Sequence, residues 1–281
     1  FKQWPDNVEI KQQKVLKKRV GQGESSITFI NHSTVLIQLD NLNILTDPVW
    51  AKRTSPVSWA GPARVKKAGI KFENLPPIDV VLISHNHYDH MDIETLKKLS
   101  KKFKPIFLVG LGSTQYLKDE KIENIHELDW NESKTVKGVK LEFSKCQHWS
   151  RRGVLDYNYS LWGSFSILGS KKIYFAGDTG YDSHFKEANK NNGTYDLALL
   201  PIGAYEPRWF MKSAHMNPDE AVKAFIDLKA KKAIGIHFGT FQLTNEGIKD
   251  PEEELDQALT KYNIKKDLFL VPENGSSFTN F

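Results

Sequence analysis

Short apolar runs recur along the chain, and the spacing within each separates strand from helix. Residues 79–84 (DVVLIS) are apolar without alternation, the pattern of a strand buried on both faces. Residues 160–168 alternate instead, with Leu161, Phe165 and Ile167 on one side and Ser160, Ser164 and Ser166 on the other, which predicts a half-buried strand. Further strand-like runs lie at 26–31, 34–39, 42–47, 105–109, 140–146, 172–176, 196–202, 233–236 and 268–271. Helical periodicity falls between them. Asn217-Pro218-Asp219-Glu220 supplies an N-cap, a proline in the first turn and a carboxylate three residues on, followed by Ala221, Ala224, Phe225 and Leu228 at helical spacing. Asp250-Pro251 opens a helix in the same way, with Leu255, Leu259 and Tyr262 as its stripe, and 92–103 carries Leu96, Leu99 and Phe103. Strands broken by amphipathic helices predict an α/β fold, sheet layers covered by helices, in one domain.

Composition narrows the chemistry. At 40% hydrophobic and 26% charged, the chain can bury a sizeable core. Its single cysteine, Cys146, excludes an internal disulfide and a cysteine-based zinc finger, so any metal falls to the nine histidines and the carboxylates. The net charge of +5 is mostly local: Lys2, Lys11, Lys14, Lys17, Lys18 and Arg19 outweigh Asp6 and Glu9, and the rest is close to neutral. The expectation is a basic N-terminal extension over 1–24 ahead of a domain over 25–281, with no nucleic-acid partner. No apolar stretch reaches the roughly 20 residues that span a bilayer. The sequence starts at Phe1 rather than Met, so localisation stays open between soluble and peripherally membrane-associated.

Candidate chemistry concentrates in Ser84-His85-Asn86-His87-Tyr88-Asp89-His90, directly after the buried strand. Imidazoles with a carboxylate between them are the ligands that borderline metals such as zinc prefer. Four ligand-type residues so close together point to two metal positions rather than one. His148, Asp178 and His237 each end an apolar run in the same manner, and they are the further candidates.

The pattern His85-x-His87-x-Asp89-His90, then His148, Asp178 and His237, resembles the metallo-β-lactamase fold and its dinuclear hydrolase site. Longer strings sharpen the resemblance: Leu45-Thr46-Asp47-Pro48, LPPID at 75–79, ELDW at 127–130, Gln147-His148-Trp149, FAGDTGY at 175–181, PIGAYEPRWFMK at 201–212 and IHFGTF at 236–241. These are similar to the N-acylphosphatidylethanolamine-hydrolysing phospholipase D group, over roughly residues 25–281. The resemblance implies a four-layer αββα sandwich and two zinc ions per chain. One zinc would sit on His85, His87 and His148, the other on Asp89, His90 and His237, with Asp178 bridging both. Two cations about 3.5–4 Å apart need an anionic bridge, and they lower the pKa of a shared water toward ~7. The resulting hydroxide would be the nucleophile, so no serine or cysteine nucleophile is required. Asp89 and Asp178 would then act catalytically, and Asp47 is expected beside the metals, orienting a ligand imidazole. His32 stands where the family commonly has a histidine, but its neighbours differ.

Tyr88, Arg151 and Arg208 are expected to meet the substrate phosphate, arginine through its bidentate fork. Trp50 and Trp59, with Trp209, Phe210 and Met211, are candidates for an apolar mouth or a contact with lipid. His126, His184 and His215 read as structural or surface residues. The resemblance implies a phospholipase D-type phosphodiesterase acting on N-acylphosphatidylethanolamine-like glycerophospholipids, in peripheral contact with an anionic membrane, as a homodimer. A lactonase acting on a phosphorylated sugar lactone is the alternative on the same site. A nucleic-acid phosphodiesterase is disfavoured by the near-neutral body.

Overall fold

Strands β1 (Ser25–Asn31), β2 (Thr34–Leu39) and β3 (Leu42–Thr46) form an antiparallel meander, which β4 (Val80–Leu82), β5 (Ile106–Gly110) and β6 (Ile125–Leu128) extend in parallel. This is a computed structural model, and it describes residues 2–15, 17–279 and 281. Helix α1 (Ile93–Phe103) connects β4 to β5, and α2 (Thr114–Lys118) connects β5 to β6. A second sheet holds β7 (Ser133–Val136), β8 (Val139–Ser144), β9 (Ser164–Leu168) and β10 (Lys172–Phe175) in antiparallel order. It continues in parallel through β11 (Leu197–Pro201), β12 (Lys232–Ile236) and β13 (Phe269–Leu270). Helix α3 (His184–Asn192) links β10 to β11, α4 (Arg208–Met211) and α5 (Pro218–Asp227) lie between β11 and β12, and α6 (Asp250–Lys261) precedes β13. The last strand, β14 (Ser277–Thr279), returns to the first sheet beside β1.

The pleat explains the layering. Val80 and Leu82 enter the core between the sheets, whereas Val81 and Ile83 face Leu96 and Leu99 of α1. On the second sheet Ile173 and Phe175 enter the same inter-sheet core, and Tyr174 and Ala176 pack under Phe185 of α3 and Phe225 of α5. Three apolar cores between four layers give the predicted αββα sandwich.

Two predicted elements differ in detail. The strand at 160–168 is shorter, β9, and both its faces are buried. Its serine side goes dry because the hydroxyls are satisfied: Ser164 Oγ donates to the Ala176 carbonyl at 2.7 Å, and Ser166 Oγ bonds Tyr195 Oη at 2.8 Å. Helix α5 carries the full capping box, Asn217 Oδ1 accepting from Glu220 N at 3.0 Å and Glu220 Oε2 from Asn217 N at 3.3 Å. Helix α6 does not repeat it. Asp250 accepts instead from Gly247 N at 2.8 Å and Lys2 Nζ at 2.6 Å.

Ahead of β1 the chain lies along the body. Trp4 is buried, with its indole N–H donating to the Glu246 carbonyl at 2.8 Å, Val8 pairs with Lys66, and Arg19 meets the Asp79 carboxylate. Among the described residues no helix is long and apolar enough to cross a membrane.

Candidate metal centre

Strand direction gathers the site. β3 and β4 run parallel, as do β10, β11 and β12, and β8 shares the sense of β10 across two antiparallel pairings. The segments following these strands therefore meet at one end of the sandwich: Asp47 after β3, His85–His90 after β4, His148 after β8, Asp178 after β10 and His237 after β12. Gly177 makes the approach of Asp178 feasible. Its φ is +61°, and a Cβ there would stand 2.6 Å from Ser84 Cβ.

The ligand-type atoms fall into two groups. In one, His85 Nε2 lies 2.8 Å and His148 Nε2 3.4 Å from His87 Nδ1. In the other, Asp89 Oδ2 lies 2.9 Å from His32 Nε2 and 3.2 Å from both His90 Nε2 and His237 Nε2. Asp178 Oδ2 stands between them, 3.1 Å from His90 Nε2, 3.0 Å from His237 Nε2, 3.9 Å from His85 Nε2 and 4.0 Å from His148 Nε2.

Hydrogen bonds behind the rings decide which nitrogens face inward. Asp47 is fully buried, and its Oδ2 accepts from Ser84 Oγ at 2.6 Å and from His90 Nδ1 at 2.6 Å. With its proton given to Asp47, the Ser84 oxygen accepts from His85 Nδ1 at 2.9 Å. The Ala214 carbonyl, which can only accept, takes the His148 Nδ1 proton at 2.9 Å. In the neutral ring, the lone pair of His85, His90 and His148 thereby falls on Nε2. Asp47, His32 and His237 hold positive φ values of 30°, 48° and 59°, a strained conformation that the surrounding bonds fix, His237 N donating to the His32 carbonyl at 2.9 Å.

The protonation pattern suits cations. Burial and the neighbouring His148 push His87 down to about 3, and burial brings His148 to about 4 against the pull of Asp178. Burial, reinforced by His90, holds His85 well below the ordinary histidine range. In the second group burial also opposes charge, but the Asp178 and Asp89 carboxylates outweigh it, raising His237 to about 9 and His90 above its usual value. Those protons occupy the place that a cation displaces on binding. Among the described residues, His87 Nε2, His90 Nε2 and Asp178 Oδ1 are buried without a hydrogen-bond partner. Converging lone pairs, orphaned buried atoms and two carboxylates make a donor set that fits a pair of divalent cations.

A cavity of about 420 Å³ opens over Asp89 and Asp178. Tyr88 and Arg151 line it, but the Tyr88 hydroxyl donates to the Arg152 carbonyl at 2.9 Å, and the Arg151 guanidinium bonds the carbonyls of Gly153 and Val154. Arg208 does not line it. Its guanidinium pairs with Glu220 at 2.8 Å and donates to the His215 carbonyl at 2.8 Å, bracing the turn between α4 and α5. Trp50 is half-buried, its indole bonded to the Ile70 carbonyl at 3.1 Å, so it is structural, whereas Met211 does line the cavity.

One residue escapes the sequence reading. His215 is buried, lines the cavity, packs edge-on against His148 at 5.0 Å and brings Nδ1 to 3.9 Å from Asp178 Oδ2. His32, whose neighbours looked atypical, is buried and pushed down to about 3 by burial and His237, so its neutral Nε2–H donates to Asp89.

Residues 42–238 match the family described as the beta-lactamase superfamily domain. An N-acyl-phosphatidylethanolamine-hydrolyzing phospholipase D of Caenorhabditis elegans is 39% identical over 262 residues, 88% of this chain and 74% of the relative. A mitochondrial protein of the same name from Saccharomyces cerevisiae is 35% identical over 89% of this chain, which spans 55% of that relative's length. In fold, a possible metal-dependent hydrolase from Veillonella parvula superposes with a TM-score of 0.74 at 17% identity, over 92% of this chain and all of the other. The chain belongs to the β-lactamase superfamily and is a metal-dependent hydrolase resembling the N-acyl-phosphatidylethanolamine-hydrolysing phospholipase D group.

Proposed function

We propose that the chain hydrolyses the phosphodiester of N-acylphosphatidylethanolamine-like glycerophospholipids in the phospholipase D manner, with two zinc ions per chain. The 39% identity to the nematode protein of that name supports the substrate class. The observation that carries the reading is the seat of Asp178, whose Oδ2 lies within 4.0 Å of five imidazole nitrogens drawn from both groups and from His215. A carboxylate so placed suits a bridge between two cations. On this reading His85, His87 and His148 hold one zinc, Asp89, His90 and His237 the other, and Asp178 both. When bound, the ions supply Lewis acidity and an ionised water at neutral pH.

The chain's own residues do the rest. Asp47 and Ser84 hold the Nδ1 protons of His90 and His85, so that Nε2 is the nitrogen offered to a cation, and the Ala214 carbonyl does the same for His148. Arg151 and Arg152 put positive charge on the wall where a phosphate would lie, and Trp149, Met211 and Leu243 exclude water around it. A cavity of about 420 Å³ that opens to the surface suits a headgroup and its diester, with the acyl chains leaving through the mouth. Peripheral contact with an anionic membrane and a homodimer belong to the same reading.

The test is metal content per chain, paired with cleavage of bis-p-nitrophenyl phosphate before and after chelation, then product analysis on N-acylphosphatidylethanolamine. Two zinc equivalents, chelator-sensitive cleavage, and release of phosphatidic acid with N-acylethanolamine are expected. Two metals without diester cleavage would redirect the site to a phosphorylated sugar lactone. No metal after reconstitution would reject the ligand assignment.

A further inference from the structure

Three loops wall the mouth of the cavity, and each continues outward into bare apolar side chains. Thr54 lines the cavity, and Val57 and Trp59 stand further along the same loop, which the pairing of Arg53 with Ala63 closes. Gly153 lines it, and Val154, Leu155, Tyr157 and Tyr159 follow. Met211 lines it, immediately after Trp209 and Phe210 on the single turn of α4. Eight of the ten large apolar or aromatic side chains exposed among the described residues fall on these loops, so the exposure is concentrated rather than scattered as on ordinary surface. Leu155 is 98% exposed, Trp209 85% and Trp59 79%.

The free charge on the same loops has one sign. Lys52, Arg151 and Lys212 are exposed and have no ion-pair partner among the described residues. The one carboxylate on these loops, Asp156, and Glu206 just ahead of the third are half-buried and already engaged. Asp156 accepts from Gly153 N and Tyr116 Oη, both at 2.7 Å, and Glu206 accepts from Arg208 N at 3.0 Å. Aromatic and leucine tips beside unpaired cations match the interfacial zone of an anionic bilayer, where rings sit at headgroup level and basic residues meet lipid phosphate.

We propose that the loops over 52–59, 151–159 and 208–212 form one docking face that seats the cavity mouth on an anionic lipid bilayer. Trp59, Leu155, Trp209 and Phe210 enter the boundary between headgroups and acyl chains, and Lys52 and Lys212 hold the headgroups around them. A phospholipid drawn into the cavity then keeps its acyl chains out of water throughout. The choice of occupant rests on the phospholipid reading above.

The experiment is co-sedimentation of the metal-loaded chain with phosphatidylcholine vesicles, with and without phosphatidylglycerol, for the wild type, Leu155→Asp, Trp209→Asp and the Lys52→Glu/Lys212→Glu pair. The wild type is expected to bind the anionic vesicles preferentially. Each apolar-to-aspartate change should weaken binding about tenfold or more, and the charge pair should abolish the preference for phosphatidylglycerol. Turnover of bis-p-nitrophenyl phosphate, a soluble diester, should stay unchanged in Leu155→Asp and Trp209→Asp, which shows that they fold. Wild type that ignores both vesicles, or variants that bind as it does, would overturn the docking face. A dimer dissolved by the same two variants without vesicle binding would assign the face to a second copy and overturn it equally. Vesicle binding without lipid hydrolysis would leave the docking face standing while rejecting the phospholipid reading, and hydrolysis of dispersed lipid without vesicle binding would do the reverse.

Discussion

A neutral imidazole carries one proton, and the nitrogen that holds it is closed to a cation. Asp47 makes that choice for two histidines in different groups, directly for His90 and through the Ser84 hydroxyl for His85. Asp47→Asn presents an amide N–H where an acceptor is needed, so one of those rings loses its fixed tautomer. Metal affinity should fall about 10–100-fold in a chelator-competition titration. Ser84→Ala disturbs only the His85 arm and should fall less; equal affinities in wild type and both variants would refute the relay. The string Leu-Thr-Asp-Pro marked Asp47 as a neighbour of the site, because a short motif survives translation into space. The Ser84 relay was not legible, since a serine beside a histidine is ordinary until its proton is traced. His215 was missed for a different reason: no apolar run precedes it, and it reaches the centre through the turn after α4, its N–H bonding the Met211 carbonyl at 2.8 Å. Arg208 looked available for phosphate because Glu220, its partner, lies a turn and a helix start away in sequence.

At the scale of elements, local signals read well where they close on themselves. The capping box of α5 needs only Asn217 and Glu220, so it was visible in four residues and is present as expected. Asn217→Ala removes the acceptor for the Glu220 N–H and should lower stability by about 1 kcal/mol in urea unfolding, without changing metal content. An unchanged midpoint would mean that the contacts of Pro218 and Ala221 alone define the start of the helix. Elements whose burial depends on distant partners read less well. The polar side of β9 resembled a solvent face because its coverage by α3 and by Tyr195 lies outside any local window. Asp250 resembled an N-cap, yet its carboxylate closes a turn with Gly247 and takes Lys2 from the other end of the chain.

Across the whole molecule the N-terminal segment ties separate parts of the body together. Arg19 pairs with Asp79 at the start of β4, and Lys137 reaches the same carboxylate at 2.7 Å from the turn between β7 and β8, so one group links this segment to both sheets. Burial disfavours the Asp79 charge, but Arg19, Lys137 and the Asn43 N–H outweigh it and hold its pKa below the ordinary carboxylate value. A carboxylate depressed on folding stabilises above its unfolded pKa of about 3.9, and that contribution is lost as pH falls through the lower folded value. Asp79→Asn should therefore melt below the wild type at neutral pH, with the gap closing under acid; a gap constant in pH would assign the loss to packing instead.

The candidate ligands are divided between the two sheets: His85, His87, Asp89 and His90 follow a strand of the first, His148, Asp178 and His237 strands of the second. A cation pair held there would fasten the two sheets together at the rim of the sandwich, in addition to the apolar core they share. By mass action, a ligand at a hundred times its dissociation constant adds about 2.7 kcal/mol to the folded state. A cell short of metal would then hold less of this protein as well as a less active form of it, because the metal-free chain unfolds and is degraded more readily.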